Sequence, residues 1–186
     1  MENQTLVAKH KPIVIWLTGL SGAGKTTIAE SLKDKFTAKN IFSVIIDGDA
    51  LRNTINKNLG YTDEDRRENV RRAAEIVNLF VENNIATICT FMSPTIAIRA
   101  LAKEIIGADK FYEVFVKASI ENCVSRDVKG LYAKYRTGEI QNMSGIDALY
   151  QEPENPFLVI DTNSLSIEES VNLLFSKVEP QISILS

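Results

Sequence analysis

The chain is poor in the residues that much protein chemistry depends on. It has a single histidine, His10, placed in a polar N-terminal stretch. Imidazole acid–base catalysis and His-rich zinc sites therefore lack material. Its two cysteines, Cys89 and Cys123, fall in apolar or helical contexts at no metal-ligand spacing. Two buried thiols in a reducing compartment are expected, not a disulfide. No apolar run approaches the roughly 18 residues that span a bilayer. Residues 1–11 are polar and lack the apolar stretch of a signal peptide. No membrane is expected as a partner, and the expected location is cytoplasmic. The net charge is only −3, which argues against a general nucleic-acid-binding surface.

What remains is an ordinary globular composition. With 186 residues, 45% of them apolar, the chain suits one domain over 1–186 with a polar tail at 1–11. Short apolar runs alternate with longer amphipathic ones. Pro12–Thr18, Ile41–Asp47, Ile85–Phe91, Phe111–Val116 and Phe157–Asp161 are rich in β-branched and aromatic residues and nearly continuous. Parallel strands covered on both faces read this way. Helical patterns follow at Thr26–Lys39, Asp63–Glu82, Thr95–Ile106, Ser119–Asp127 and Ile167–Val178. Strict alternation predicts an α/β fold, a parallel sheet of about five strands flanked by helices. The stretch 128–156 differs, being mixed and rich in Gly, Tyr, Asn and Pro. It is too long for an ordinary connection and is expected to form a lid.

Gly19-Leu20-Ser21-Gly22-Ala23-Gly24-Lys25-Thr26 fits G-x-x-x-x-G-K-[ST] completely, with a buried strand before it and an amphipathic helix after it. Its glycines let the backbone wrap a phosphate, toward which the N–H groups and the following helix present positive charge. Lys25 is expected at the β/γ-phosphates and the Thr26 hydroxyl, next to Thr27, on Mg²⁺. The motif predicts ATP and Mg²⁺ in a P-loop fold; it does not name the reaction.

Asp47-Gly48-Asp49 closes the second strand, with Arg52 three residues on. Ligands of open parallel sheets bind beyond the carboxyl ends of the strands, so Asp49 should face the phosphate. A carboxylate there can accept the proton of an attacking hydroxyl and help hold Mg²⁺ through water. Asp-Gly-Asp is also ordinary turn chemistry, and the two readings are compatible. Five of the eight arginines (Arg52, Arg66, Arg67, Arg71, Arg72) lie in one 21-residue stretch. Thr62 and Asp65 make a capping box that starts a helix there. Arg66 and Asn69 share one face of it, as suits an anionic ligand that carries a base. A solvated charged face with internal Glu–Arg pairs fits the same pattern equally well.

Several segments together resemble the adenylylsulfate kinases: GLSGAGKTT, IDGDALR, GYTDEDRRENVRR, Ser93-Pro94, RDVKGLYAKYRTGEI, SGIDALYQEPENP and VIDT. The resemblance runs from about Ile13 to Thr162. It implies transfer of the ATP γ-phosphoryl group to the ribose 3′-hydroxyl of adenylylsulfate, in sulfate assimilation. It further implies that Asp49 activates that hydroxyl, and that Arg52, Arg66 and Asn69 contact the sulfate-phosphate and the adenine. Tyr61 stands where the family has a Phe stacking on the base. Lys129 lies in the lid motif, and Arg126 matches a lid arginine at the ATP end. Ser93 matches a serine proposed to carry a phosphoserine intermediate, which direct in-line transfer does not need. The partners implied are small nucleotides, with a homodimer allowed.

Three positions depart from the family pattern. Thr95 replaces an aromatic, Ser119 a proline, and Met143 the Phe that forms the second face of the base sandwich. The changes at Thr95 and Met143 motivate a rival acceptor, such as a cytidine diphosphate derivative in capsule biosynthesis. A non-catalytic ATP-sensing module is the reading from outside the enzymes. A nucleoside monophosphate kinase would leave DRRENVRR unexplained.

Overall fold

A computed structural model describes residues 10–182. The polar tail expected at 1–11 therefore lies mostly outside the described residues, but its end does not behave as a tail. His10 is buried, and the Lys11 N–H donates to the Ile182 carbonyl at 2.8 Å. The end of the C-terminal helix pairs with a residue whose local polarity suggested solvent.

The elements run β1 (Val14–Thr18), α1 (Lys25–Ala38), β2 (Ser43–Asp47), α2 (Gly48–Arg52), α3 (Asp63–Glu82), β3 (Ala86–Thr90) and α4 (Ile96–Ile106). They continue through β4 (Phe111–Lys117), α5 (Ile120–Arg126), α6 (Leu131–Arg136), β5 (Leu158–Asp161) and α7 (Ile167–Ile182). All strand pairings are parallel, in the order β2-β3-β1-β4-β5. Successive side chains of a strand face opposite sides. In β1 this sends Ile15 and Leu17 into one core with α1 and α7, and Val14 and Trp16 into another with α3 and α4. Both faces are covered, which is why apolar residues dominate the strands.

The helix following β1 packs on one face and that following β3 on the other. The loops leaving these adjacent strands diverge, opening a crevice at the carboxyl edge of the sheet. Gly19 and Gly22 shape the first of those loops. Both have positive φ, and a Cβ would meet the Val116 carbonyl oxygen at 2.3 Å and the Cys123 oxygen at 2.9 Å. Neither position tolerates a side chain.

Two short helices were not expected. Asp47-Gly48-Asp49 is the start of α2, with Asp47 as its N-cap accepting from the N–H groups of Asp49 and Ala50 at 2.9 and 3.1 Å. Segment 128–156 contains α6, whose N-cap is Gly130 and in whose first turn the Tyr132 and Ala133 N–H groups donate to the Asp127 carboxylate. The Thr62–Asp65 capping box of α3 is present as expected. Two of the family departures turn out to be helix caps. Thr95 accepts from the Ile98 N–H at the start of α4, and Ser119 from the Asn122 N–H at the start of α5. A short hydroxyl side chain suits both positions, since it satisfies a donor that an aromatic or a proline would leave open.

Candidate active site

The crevice holds a cavity of about 890 Å³. Of the site residues expected from sequence, all but Gly19 and Leu20 line it. Those two act through their backbone. The Lys25 ammonium donates to both of their carbonyls, each at 2.7 Å. Burial lowers the Lys25 pKa to about 8; the Asp49 and Asp47 carboxylates pull it up and Lys129 pushes it down. Thr26, Thr27 and the loop backbone from Ser21 to Gly24 complete this wall. Arg126 closes its outer end, donating to the Thr162 carbonyl at 2.7 Å and to the Gly22 carbonyl at 3.3 Å.

The carboxylate nearest the Thr26 hydroxyl is Asp47, for which the sequence predicts only a turn. Asp47 Oδ2 accepts from Thr26 at 3.2 Å and from Thr90 at 2.6 Å. Burial raises its pKa, but the Thr90 hydroxyl, the Ala50 N–H, the Lys129 charge and the Asp49 N–H outweigh it and hold the carboxyl below its ordinary value. The signal that could have found it is positional. Asp47 ends β2, and Thr90 ends the adjacent β3 in register with it. Asp49 instead reaches across the cavity, exposed, where its carboxylate is paired with the Lys129 ammonium.

The second wall comes from α2, α3 and the loop after β3. Arg66 is buried and donates through Nε to the Tyr61 carbonyl at 3.0 Å and through Nη2 to the Asn142 carbonyl at 2.6 Å. The Asn69 amide accepts from Asn56 at 2.9 Å. Arg52 lies 4.6 Å over the Tyr61 ring and donates to the Gly60 carbonyl. The arginine cluster thus divides into two sets. Arg52 and Arg66 line the cavity, whereas Arg71 and Arg72 pair with Glu68 on the outer face of α3 and Arg67 is exposed. The solvated face with Glu–Arg pairs is thus the lot of Arg71 and Arg72, whereas Arg52 and Arg66 face the cavity.

Two expected roles meet different geometry. Met143 is 6% exposed and belongs to the apolar core, whereas Tyr61 is 57% exposed with a guanidinium already on its ring. Both line the cavity, but the thioether is packed inward instead of standing as an open platform. Ser93 is buried, with its hydroxyl engaged by Trp16 Nε1 at 3.1 Å and Thr18 Oγ1 at 2.9 Å. A phosphoryl group there would need three further acceptor oxygens satisfied beside an indole. Segment 128–156 lies against both walls, through Lys129 to Asp49, Arg66 to Asn142, and Gly145 beside Leu20.

A phosphate-wrapping loop between a central parallel strand and a helix, facing arginines across one crevice, is the arrangement of a P-loop kinase. The chain belongs to the adenylylsulfate kinase family, whose family model matches residues 11–161. It is 50% identical over 181 residues to the adenylyl-sulfate kinase of Bacteroides thetaiotaomicron, covering 97% of this chain and 90% of that one. To the adenylyl-sulfate kinase of Bacillus licheniformis it is 46% identical over 173 residues, covering 93% and 88%. The solved Mycobacterium tuberculosis APS kinase CysC, in complex with AMPPNP and APS, superposes with a TM-score of 0.87 at 38% identity, covering 91% of this chain and 98% of that one. Among the described residues no helix is long and apolar enough to cross a membrane.

Proposed function

We propose that the protein transfers the γ-phosphoryl group of ATP to the ribose 3′-hydroxyl of adenylylsulfate. The observation that carries this reading is one cavity with a fixed phosphate cradle on one side and Arg52, Arg66 and Asn69 on the other. The exposed Asp49 carboxylate lines the same cavity, close enough to Lys25 to pull on its charge.

The roles follow from chemistry. The loop N–H groups and Lys25 hold the donor phosphates, with Arg126 at the base end. The all-oxygen set of Thr26 Oγ1 and Asp47 Oδ2, 3.2 Å apart, fits Mg²⁺, with Asp49 contributing through water. When bound, the ion supplies neutralisation of phosphate charge. Asp49 accepts the proton of the attacking hydroxyl, after Lys129 yields its carboxylate. Arg52 and Arg66 bind the anionic acceptor, Asn69 and Tyr61 its base. Ser93 shapes the wall and carries no phosphoryl group. Segment 128–156 closes over both nucleotides and excludes water. The departures that motivate a cytidine nucleotide have local explanations, Thr95 as a cap and Met143 as core.

ADP release measured with adenylylsulfate, cytidine diphosphate derivatives and nucleoside monophosphates tests the reading. Turnover is expected with the first, and its absence at millimolar adenylylsulfate would overturn the reading. Arg66→Ala is expected to raise the acceptor KM by roughly 10- to 150-fold, the worth of one charge-assisted hydrogen bond, with the ATP KM unchanged. Equal loss of ATP binding would return Arg66 to a structural role.

A further inference from the structure

Behind the cavity wall runs a chain of hydroxyl groups whose hydrogens can be assigned from chemistry alone. Indole Nε1 of Trp16 only donates, and its acceptor at 3.1 Å is Ser93 Oγ. The Ser93 hydroxyl donates in turn to Thr18 Oγ1 at 2.9 Å. Thr18 donates to the Met92 carbonyl, which only accepts, at 2.7 Å. The Tyr150 hydroxyl lies 3.3 Å from Thr18 Oγ1. Since the one Thr18 hydrogen is committed to Met92, the phenol must be the donor. Burial supports this by holding the Tyr150 pKa up at about 12, so the proton stays on the phenol.

The ends of this chain lie in functionally different places. Thr18 precedes Gly19, whose carbonyl holds the Lys25 ammonium. Met92 places its sulfur 3.9 Å from Arg66 Nη1. Tyr150 stands in the last third of segment 128–156, its ring stacked 6.2 Å from that of Phe115. The next residue, Gln151, is fastened to the same wall. Its N–H donates to the Pro94 carbonyl at 2.8 Å, and its side chain accepts from the Ile96 N–H at 3.0 Å. The Ser93 backbone has a φ of +38°, and its carbonyl accepts from the buried Arg99 at 2.8 Å. Arg99 is itself ion-paired with Glu113 at 2.7 Å. The wall is thus braced from behind in a conformation that few residues adopt unaided.

From this we infer that Tyr150 is a positioning residue: through the Thr18 and Ser93 hydroxyls it sets the acceptor wall against the donor phosphate loop and anchors the lid at that junction. Neither Tyr150 nor Thr18 lines the cavity, so they act through Lys25 and Arg66 and not on substrate. The inference rests on the kinase reading above. Its physical ground is that misplacing two bound reactants by a fraction of an ångström slows transfer without weakening either one's binding much.

The test is Tyr150→Phe in the full chain, which removes one oxygen and keeps the ring stack. The acceptor-dependent kcat is expected to fall about tenfold with the ATP KM within about twofold. Thr18→Val should reproduce that loss and Thr18→Ser should restore the rate. The double variant Thr18→Val/Tyr150→Phe should be no slower than Thr18→Val alone, because both cut one chain. Independent, multiplying losses would overturn the inference, as would a Tyr150→Phe enzyme with wild-type kcat. Hydrogen exchange on substrate-free protein provides an arm that needs no acceptor. Amides of 141–149 are expected to exchange faster in Tyr150→Phe, and unchanged exchange would overturn the anchor. A wild type inactive with adenylylsulfate would instead sink the proposed function, while the exchange arm would still judge the anchor.

Discussion

Lys25→Ala is expected to lower kcat by at least about 10³-fold, the largest loss among single substitutions in this protein, because catalysis here is positioning plus electrostatic stabilisation. The structure indicates why no neighbour can substitute. The ammonium is buried and held by the Gly19 and Leu20 carbonyls at 2.7 Å each, so its place is fixed by the loop it serves. The other cations of the cavity are anchored elsewhere in the resting protein, Lys129 on Asp49 across the crevice and Arg126 on the Thr162 carbonyl. Lys25→Arg should not rescue, since a planar fork does not fit a cradle built around a point charge. Steady-state ADP production is the measurement, with circular dichroism to confirm folding. A folded Lys25→Ala enzyme with near-wild-type kcat would show that the loop is not the donor site.

How much of this could be read from the residues depends on the range over which each feature is written. The five strands and the long helices are legible because burial on both faces and amphipathic periodicity are properties of contiguous residues. The phosphate loop is legible because its glycines, lysine and threonine act within one turn of chain. The Thr62–Asp65 box is legible for the same reason. Asp47 is the instructive miss. Its helix-capping contacts are local, but its chemical partners Thr26 and Thr90 lie 21 and 43 residues away, and only the register of β2 on β3 brings them together.

The other differences have the same origin. α2 forms where a turn was expected because Gly48 packs against Phe91, where a Cβ would come within 2.8 Å of the ring, and Asp47 caps the start. His10 looks solvated in its own neighbourhood, yet the end of α7 pairs with the residue beside it. Met143 stands at the family's base-stacking position and is a core residue by packing. Ser93 reads as a phosphoryl carrier from its family position, whereas it is buried and the two partners of its hydroxyl, Thr18 and the Trp16 indole, lie 75 and 77 residues away along the chain. A residue's chemistry is local, but its availability is decided by tertiary contacts.

Asp49→Asn is expected to lower kcat by about 10²-fold or more while leaving ATP affinity nearly intact, the typical effect of removing a positioned general base. The amide keeps the size of the side chain and cannot accept the proton. Asp49 makes few structural contacts to lose: its carboxylate is exposed and pairs with Lys129. Asp47→Asn provides the comparison that separates the two carboxylates. Its Oδ1 caps α2 and its Oδ2 meets the Thr26 hydroxyl. The asparagine keeps the first function and spoils the second. It should therefore raise the Mg²⁺ concentration for half-maximal rate by roughly 10- to 100-fold, as losses around a metal site do. Asp49→Asn should shift that requirement far less, because its place in the site is through water. Rates measured over a Mg²⁺ titration at saturating ATP and adenylylsulfate read both effects at once. If Asp49→Asn raises KM with kcat unchanged, Asp49 binds and does not activate. If instead the Mg²⁺ requirement moves only in Asp49→Asn, the two carboxylates exchange roles, and the ion sits over α2 instead of beside Thr26.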